Sequence, residues 1–429
     1  MFGKILNTFG TRIVVAFVNL AIAVIISQFL GDSGKGLQSL VLTNISFILI
    51  FSEIVCGASL VYLASRYSFS KLWLPSVIWS GVVAVVMGLL MLVPQFGLDR
   101  SLALHAATLS FISSFASIHF RLLVGHEEVK KANLNSLLQP LVLVATLLVY
   151  HLWLGRRDIY GYIIGLYLAY LASSVLGVIQ LRNQYRSFTI YPIREYAGAL
   201  KALFKYGFLN QTSHFVQFFN LRLSYYLLNA FVDSGQVGVY SNAVSLAESL
   251  WIIFNSIALV QYARVSNSTD TAYNQRITLD LAKISLAVSL PAVLVLAALP
   301  ASFFCFVFGA DFGMMPVLIR ILAPGTLLYG VYLILGHYYS GSGRYFMNTL
   351  SALCGLVVTL VCGFTLIPRF SAIGAAVTAS LAYSMNAFFL TACFLRESRF
   401  KIRDFVLTFA ELKSYIHEIK NHYLKQNPS

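Results

Sequence analysis

Apolar stretches of about 20 residues recur from one end of this 429-residue chain to the other, each long enough to cross a bilayer as a helix. In hydrocarbon every backbone N–H and C=O must be satisfied internally, which leaves helices as the fold for such stretches. Twelve are found, at roughly 13–30, 37–63, 72–93, 102–124, 134–154, 159–179, 204–232, 237–263, 281–299, 317–339, 347–367 and 373–395. They are numbered spans 1–12. The pieces between them are too short for a soluble domain. Composition agrees, with 58% hydrophobic and 11% charged residues against about 25% charged in a soluble domain. The expected fold class is an all-α polytopic membrane protein.

The net charge of +14 has two readings, cytoplasmic loops held by the positive-inside rule or a basic path for an anionic substrate. Of 30 Lys and Arg, 23 fall in the N-terminus, the even-numbered loops and the tail, and 5 in the odd-numbered loops. Arg222 and Arg320 lie inside spans. This asymmetry places both termini in the cytoplasm; a cytoplasmic (inner) membrane is the expected location. Lys4 and Arg12 precede IVVAFVNLAIAVIISQFL with no A-x-A-like site after it, so span 1 is expected to be retained. Cys56, Cys305, Cys354, Cys362 and Cys393 lie in apolar stretches with no C-x-x-C pair, and no metal or redox cofactor is expected. No nucleic-acid partner is expected either.

The chain echoes itself. FLGDSGKGLQS (29–39) leads into span 2 and FVDSGQVGVYS (231–241) into span 8, pairing Gly36 with Gly238 and Ser39 with Ser241 at an offset of 202. GHEEVKKANLNSLL (125–138) faces GSGRYFMNTLSALC (341–354) more weakly at 216. An offset of six spans preserves orientation, so the repeats are parallel, and transporters commonly bind substrate between such halves. The expected organisation is a six-helix lobe at 1–190, a cytoplasmic linker at 191–203, a second lobe at 204–396 and a tail at 397–429. GDSGKGLQS fails as a phosphate-binding loop: Phe29 stands at the first Gly position and Gly36 at that of the Ser/Thr.

Span 7, FLNQTSHFVQFFNLRLSYYLLNAF (208–231), is as long as a membrane is thick yet rich in polar residues. At 100° per residue, Asn210, His214, Gln217, Asn220, Arg222, Ser224, Tyr225 and Asn229 cover over half its circumference. Arg222 is about ten residues from the outer end, about 15 Å deep by helical rise. A central arginine costs about 3 to over 10 kcal/mol unless it meets water, a ligand or a partner. It is read either as a lumen cation for an anionic group or as the partner of a carboxylate or helix-end carbonyls. Arg12 and Asn19 share a face of span 1. Ser39, Ser46 and Glu53 form a strip in span 2, as do Glu248 and Asn255 in span 8. Glu53 and Glu248, the carboxylates well inside spans, are either buried neutral groups or sites that bind H⁺ or Na⁺ and couple it to transport. Arg66 and Arg264 are expected as cytoplasmic anchors, and Arg320 as a snorkelling side chain. The tail sets Phe405, Phe409, Leu412, Ile416, Ile419 and Tyr423 on one face among basic residues, which suits either anionic membrane lipids or the protein's own base.

Two segments carry a family likeness. NLRLSYYLLNAFVDSGQVGVYSNAVSLAESLWIIFNSIALVQYARVS (220–266) resembles spans 7 and 8 of Wzx-type oligosaccharide flippases, of the polysaccharide transporter family in the MOP superfamily. Residues 316–384 resemble their spans 10–12, most specifically in IPRFSAIGAA (367–376) and in the G-x-G-R of Gly341, Gly343 and Arg344. One departure is Ser224, where relatives often carry an acid two residues after the arginine of span 7, so any coupling through that acid does not carry over. The resemblance implies a MOP/MATE-like fold of two rocking lobes. It also implies a polyprenyl-diphosphate-linked glycan as substrate, flipped outward for surface polysaccharide such as O-antigen, with polysaccharide polymerase machinery as a partner. Arg suits a diphosphate, and Asn, Gln, Tyr and His suit sugar hydroxyls. The rivals are a multidrug cation antiporter of the same superfamily, which favours acidic lumen residues, and a membrane glycan polymerase or ligase, which needs a larger outer loop.

Overall fold

The computed structural model describes residues 2–92 and 97–405, with the side chains of 2–9, Leu209 and Asn210 outside the description. Among the described residues every regular element is a helix. Nine are long and apolar enough to cross a membrane, and two of these are double. Phe2–Cys56 breaks at Gly31 (φ 68°, ψ −167°) into spans 1 and 2. Ser27 and Ser39 bond to the adjacent residues Asn242 and Ser241, so the chain reverses there. Phe346–Glu397 breaks likewise at Ser371 (φ 51°, ψ −131°) into spans 11 and 12. Span 7 lies in Ile193–Phe231, whose polar residues keep it out of the nine. Twelve crossings result among the described residues, in a multi-pass membrane protein.

The two most specific motifs of the sequence prove to be hairpins. In IPRFSAIGAA the turn at Ser371 brings span 12 back so closely that a methyl on Gly374 would sit 2.3 Å from the Leu366 carbonyl oxygen. Backbone cannot yield as a side chain does. Gly374→Ala is therefore expected to cost about 1–3 kcal/mol, the usual range for overpacking, read as a lowered melting temperature in detergent. In the G-x-G-R turn, Gly343 has φ 77°. Arg344 pairs with Glu397 at 2.6 Å, donates to the Tyr338 hydroxyl at 3.2 Å and lies over the Tyr339 ring.

The stretch expected as a linker, 191–203, is instead mostly helix, the first turns of Ile193–Phe231 behind Pro192. Its Ala199 and Leu203 are fully buried. Leu203 joins a cluster with Cys56, Leu60, Leu72 and Leu122, so span 7 starts against the first half of the chain. Only the beginning of the tail is described. Phe400 and Phe405 pack on Phe394 of span 12, and the apolar face from Phe409 to Tyr423 lies outside the described residues.

The halves meet through the repeat itself. Ser39 donates to Ser241 at 2.8 Å, equivalent residues touching as they must at a two-fold axis. A methyl on Gly36 would lie 1.7 Å from the Ser234 carbonyl oxygen, and one on Gly238 2.0 Å from that of Asp32. Gln28 of span 1 donates to the Phe306 and Val307 carbonyls of the short helix Ala301–Phe308, adding a second tie at the same end. Further in, Phe47 and Phe51 of span 2 interlock with Phe215, Phe218 and Phe219 of span 7. Span 8 breaks at Leu250 into Ser234–Ser249 and Trp251–Ser266. Spans 1 and 2 pack closely along the first piece with no comparable packing on the second. Arg12, Phe17 and Asn19 of span 1 are exposed. The halves are thus tied together at the end holding Gly31 and Gly36, while spans 1 and 8 share little contact past the break at Leu250.

Candidate functional site

Span 7 carries its arginine to the break in span 8. Arg222 grips Glu248 with both ends of the guanidinium, at 2.9 and 2.8 Å. Tyr383 of span 12 donates to the same carboxylate at 3.0 Å. A fork-to-fork pair of this kind is strong and directional. The Tyr225 ring lies 5.4 Å from the guanidinium carbon. Trp251, just past the break, stacks on Tyr329 at 4.2 Å and also meets Tyr383. Gln217, one and a half turns from Arg222, donates to the Tyr329 hydroxyl. Tyrosine and tryptophan walls thus surround one ion pair, whose side chains keep 29% and 14% of their surface accessible. Both readings of Arg222 meet here: it has a carboxylate partner, and it stays partly reachable.

The other expected site residues are divided. Asn220 is buried and accepts from Thr359 of span 11 at 2.9 Å, so its side chain serves helix packing and lines no lumen. Ser213 shares a hydrogen bond with Thr349, also of span 11, and Ser224 is buried. Tyr225 is 5% exposed, reaching the site only through Arg222. Asn229 lies against the turn at Gly97, away from the ion pair. His214 is exposed, as are Arg12 and Asn19, and none of these three joins the Arg222 cluster. The side chain of Asn210 is outside the described residues. The wide polar arc of span 7 is therefore split between neighbouring helices and the site.

Glu53 has an arginine of its own. Arg121 reaches it at 3.3 Å, and Gln211 of span 7 donates to its other oxygen at 3.2 Å. Arg121 reads in sequence as a loop cation beside Lys130 and Lys131. It sits instead four residues inside the helix Arg100–Gly125. Lys35, also counted to a loop, is buried and donates to Gln38 at 2.5 Å. The signal that finds Arg121 is its place within HFRLLV, a helical continuation rather than a turn. Beside the Glu53–Arg121 pair, a polar cavity of about 300 Å³ opens among spans 2, 4, 5 and 6. Two other grooves, of about 410 and 500 Å³, are apolar and run between spans 4 and 6 and between spans 3 and 4. Among the described residues no group of His, Cys, Asp and Glu is placed to hold a metal.

The polysaccharide biosynthesis protein family matches residues 4–262, more than half of the chain. The chain belongs to that family. Its fold is that of MOP-superfamily transporters and flippases. It superimposes on the lipid II flippase MurJ in an inward closed conformation with a TM-score of 0.74 at 17% identity, covering 100% of this chain and 94% of that one. An inward-facing multidrug resistance MATE family transporter matches with a TM-score of 0.72 at 15% identity, over 89% of this chain and 94% of the other. A MOP-superfamily transporter from Pyrococcus furiosus, titled for the reverse polarity of its binding pocket, matches at 0.63 and 14% over 91% and 94%. No curated protein sequence matches the chain.

Proposed function

We propose that this family member flips a polyprenyl-diphosphate-linked glycan across the bacterial inner membrane, from the cytoplasmic to the outer leaflet, with both termini cytoplasmic. The observation that carries the reading is the Arg222–Glu248–Tyr383 cluster, set beside the break in span 8 and still partly accessible. A diphosphate competes well for a guanidinium already poised to bind two oxygens. The tyrosine and tryptophan walls suit sugar rings and hydroxyls. The lipid tail stays in the bilayer while the headgroup crosses, leaving between spans 1 and 8. The likeness to a protein titled lipid II flippase supports the substrate class.

Energy comes in this reading from an ion gradient. A proton or Na⁺ on Glu248 weakens its hold on Arg222 and frees the cation for the diphosphate. Return of the carboxylate charge expels the anion. Glu53, tied to both Arg121 and span 7 through Gln211, is the second candidate. The test is flipping of a glycan-bearing polyprenyl diphosphate in proteoliposomes under imposed pH or Na⁺ gradients. Parent protein is expected to respond to one gradient, and Glu248→Gln to lose that response. If Glu53→Gln and Glu248→Gln both respond like the parent, coupling does not run through these groups. A multidrug cation antiporter is the second reading: Glu248 with Trp251 and Tyr329 would hold an organic cation once Arg222 withdrew. Gradient-driven uptake of such a cation without any glycan-lipid flipping would select it.

A further inference from the structure

The polar cavity of the first half has no part in the Arg222 cluster, and its lining is specific. Ser113 and Ser117 come from span 4, Asn135, Ser136 and Gln139 from span 5, and Ser173 from span 6. Three helices thus turn hydroxyls and amides toward one space inside the membrane, where lone polar groups are costly. Several of these groups are unspent. Ser117 and Gln139 find no hydrogen-bond partner among the described residues. Asn135 is 3% exposed, and its Nδ2 is a buried donor with no acceptor. That atom lies against Gly177, so the free groups a ligand can use are the Ser117 hydroxyl and the Gln139 amide.

The lining also states the ligand's charge. It holds one cation, Arg121, and one anion, Glu53, already paired at 3.3 Å. No net positive charge is left for a diphosphate, and no net negative charge for a cation. What fits is a neutral molecule dense in groups that both donate and accept, with an apolar face. Phe120 supplies a flat surface on the same wall. A volume of about 300 Å³ lies at the small end of ligand sites, which run from about 300 to 1,000 Å³. That is room for one sugar ring, not a whole repeat unit.

We infer that this cavity is a sugar subsite, taking one neutral pyranose of the glycan by its hydroxyls while the diphosphate is held elsewhere. The inference rests on the flippase reading above, and the test separates the two. Affinity of the purified protein in nanodiscs is measured for a bare polyprenyl diphosphate and for the same lipid carrying glucose, galactose, N-acetylglucosamine or N-acetylgalactosamine. At least one sugar is expected to tighten binding about tenfold or more, the worth of two or three new hydrogen bonds. Ser117→Leu, which fills the cavity, and Gln139→Ala, which removes an amide without filling it, are each expected to erase most of that gain and leave the bare lipid's affinity in place. The subsite falls if no sugar tightens binding, if both variants keep the gain, or if they weaken bare and sugared lipids equally. If the parent binds neither kind of lipid, the flippase reading falls with it.

Discussion

Arg222→Ala is expected to cut glycan-lipid flipping about tenfold or more and to destabilise the protein, and the two effects can be pulled apart. Removing the arginine strands Glu248, 14% accessible, with only the Tyr383 hydroxyl beside it. Breaking one side of a buried pair costs about 3–5 kcal/mol, much of it the orphaned charge. Arg222→Ala/Glu248→Gln removes that charge and should recover most of the melting temperature. If the arginine only neutralises Glu248, the double variant flips as fast as Glu248→Gln alone. If it grips the substrate, the double variant flips well below Glu248→Gln in a protein that is stable again. Arg222→Lys is expected to restore part of the rate, because an ammonium cannot match a two-oxygen fork. Parent-like flipping by Arg222→Ala would remove the cluster from the transport path.

How much of this was legible in the sequence varies with the force that writes each feature. The bilayer imposes span length on every crossing, so twelve spans could be counted even where two helices run together across Gly31 or Ser371. It imposes nothing on helices outside the hydrocarbon, and the first turns of Ile193–Phe231 read in sequence as a linker. Repeats write identity where halves touch, and Gly36, Gly238, Ser39 and Ser241 stood out for that reason. The site was half legible. Periodicity shows that span 7 is polar on a wide arc but not which part faces a helix. Asn220 and Ser213 found threonines on span 11, while Arg222 and Gln217 faced the cluster. The charge count misled for Arg121, because a cation near a helix end counts toward a loop until its partner is known.

Ser39→Cys/Ser241→Cys, in a chain whose five native cysteines are replaced, is expected to cross-link under mild oxidant and to stop transport. The two hydroxyl oxygens lie 2.8 Å apart, so sulfurs in their place start near bonding distance. The native Cys56, Cys305, Cys354, Cys362 and Cys393 are all unpaired and need removal only to keep the chemistry at one place. Alternating access between the two halves requires this tied end to open in every cycle, parting Ser39 from Ser241 and Gln28 from the Phe306 and Val307 carbonyls. A covalent bond between spans 2 and 8 forbids that step, whatever the driving ion. Flipping in proteoliposomes should fall below about a tenth of the uncross-linked rate, an effect of at least 1.4 kcal/mol on the step. A reductant should return it, which rules out misfolding as the cause. Either cysteine alone should transport normally, since one hydrogen bond between neutral groups is worth about 0.5–1.5 kcal/mol. If the cross-linked protein flips lipid at the parent rate, the halves do not separate at the Gly36–Gly238 contact. The path would then have to run entirely between spans 1 and 8.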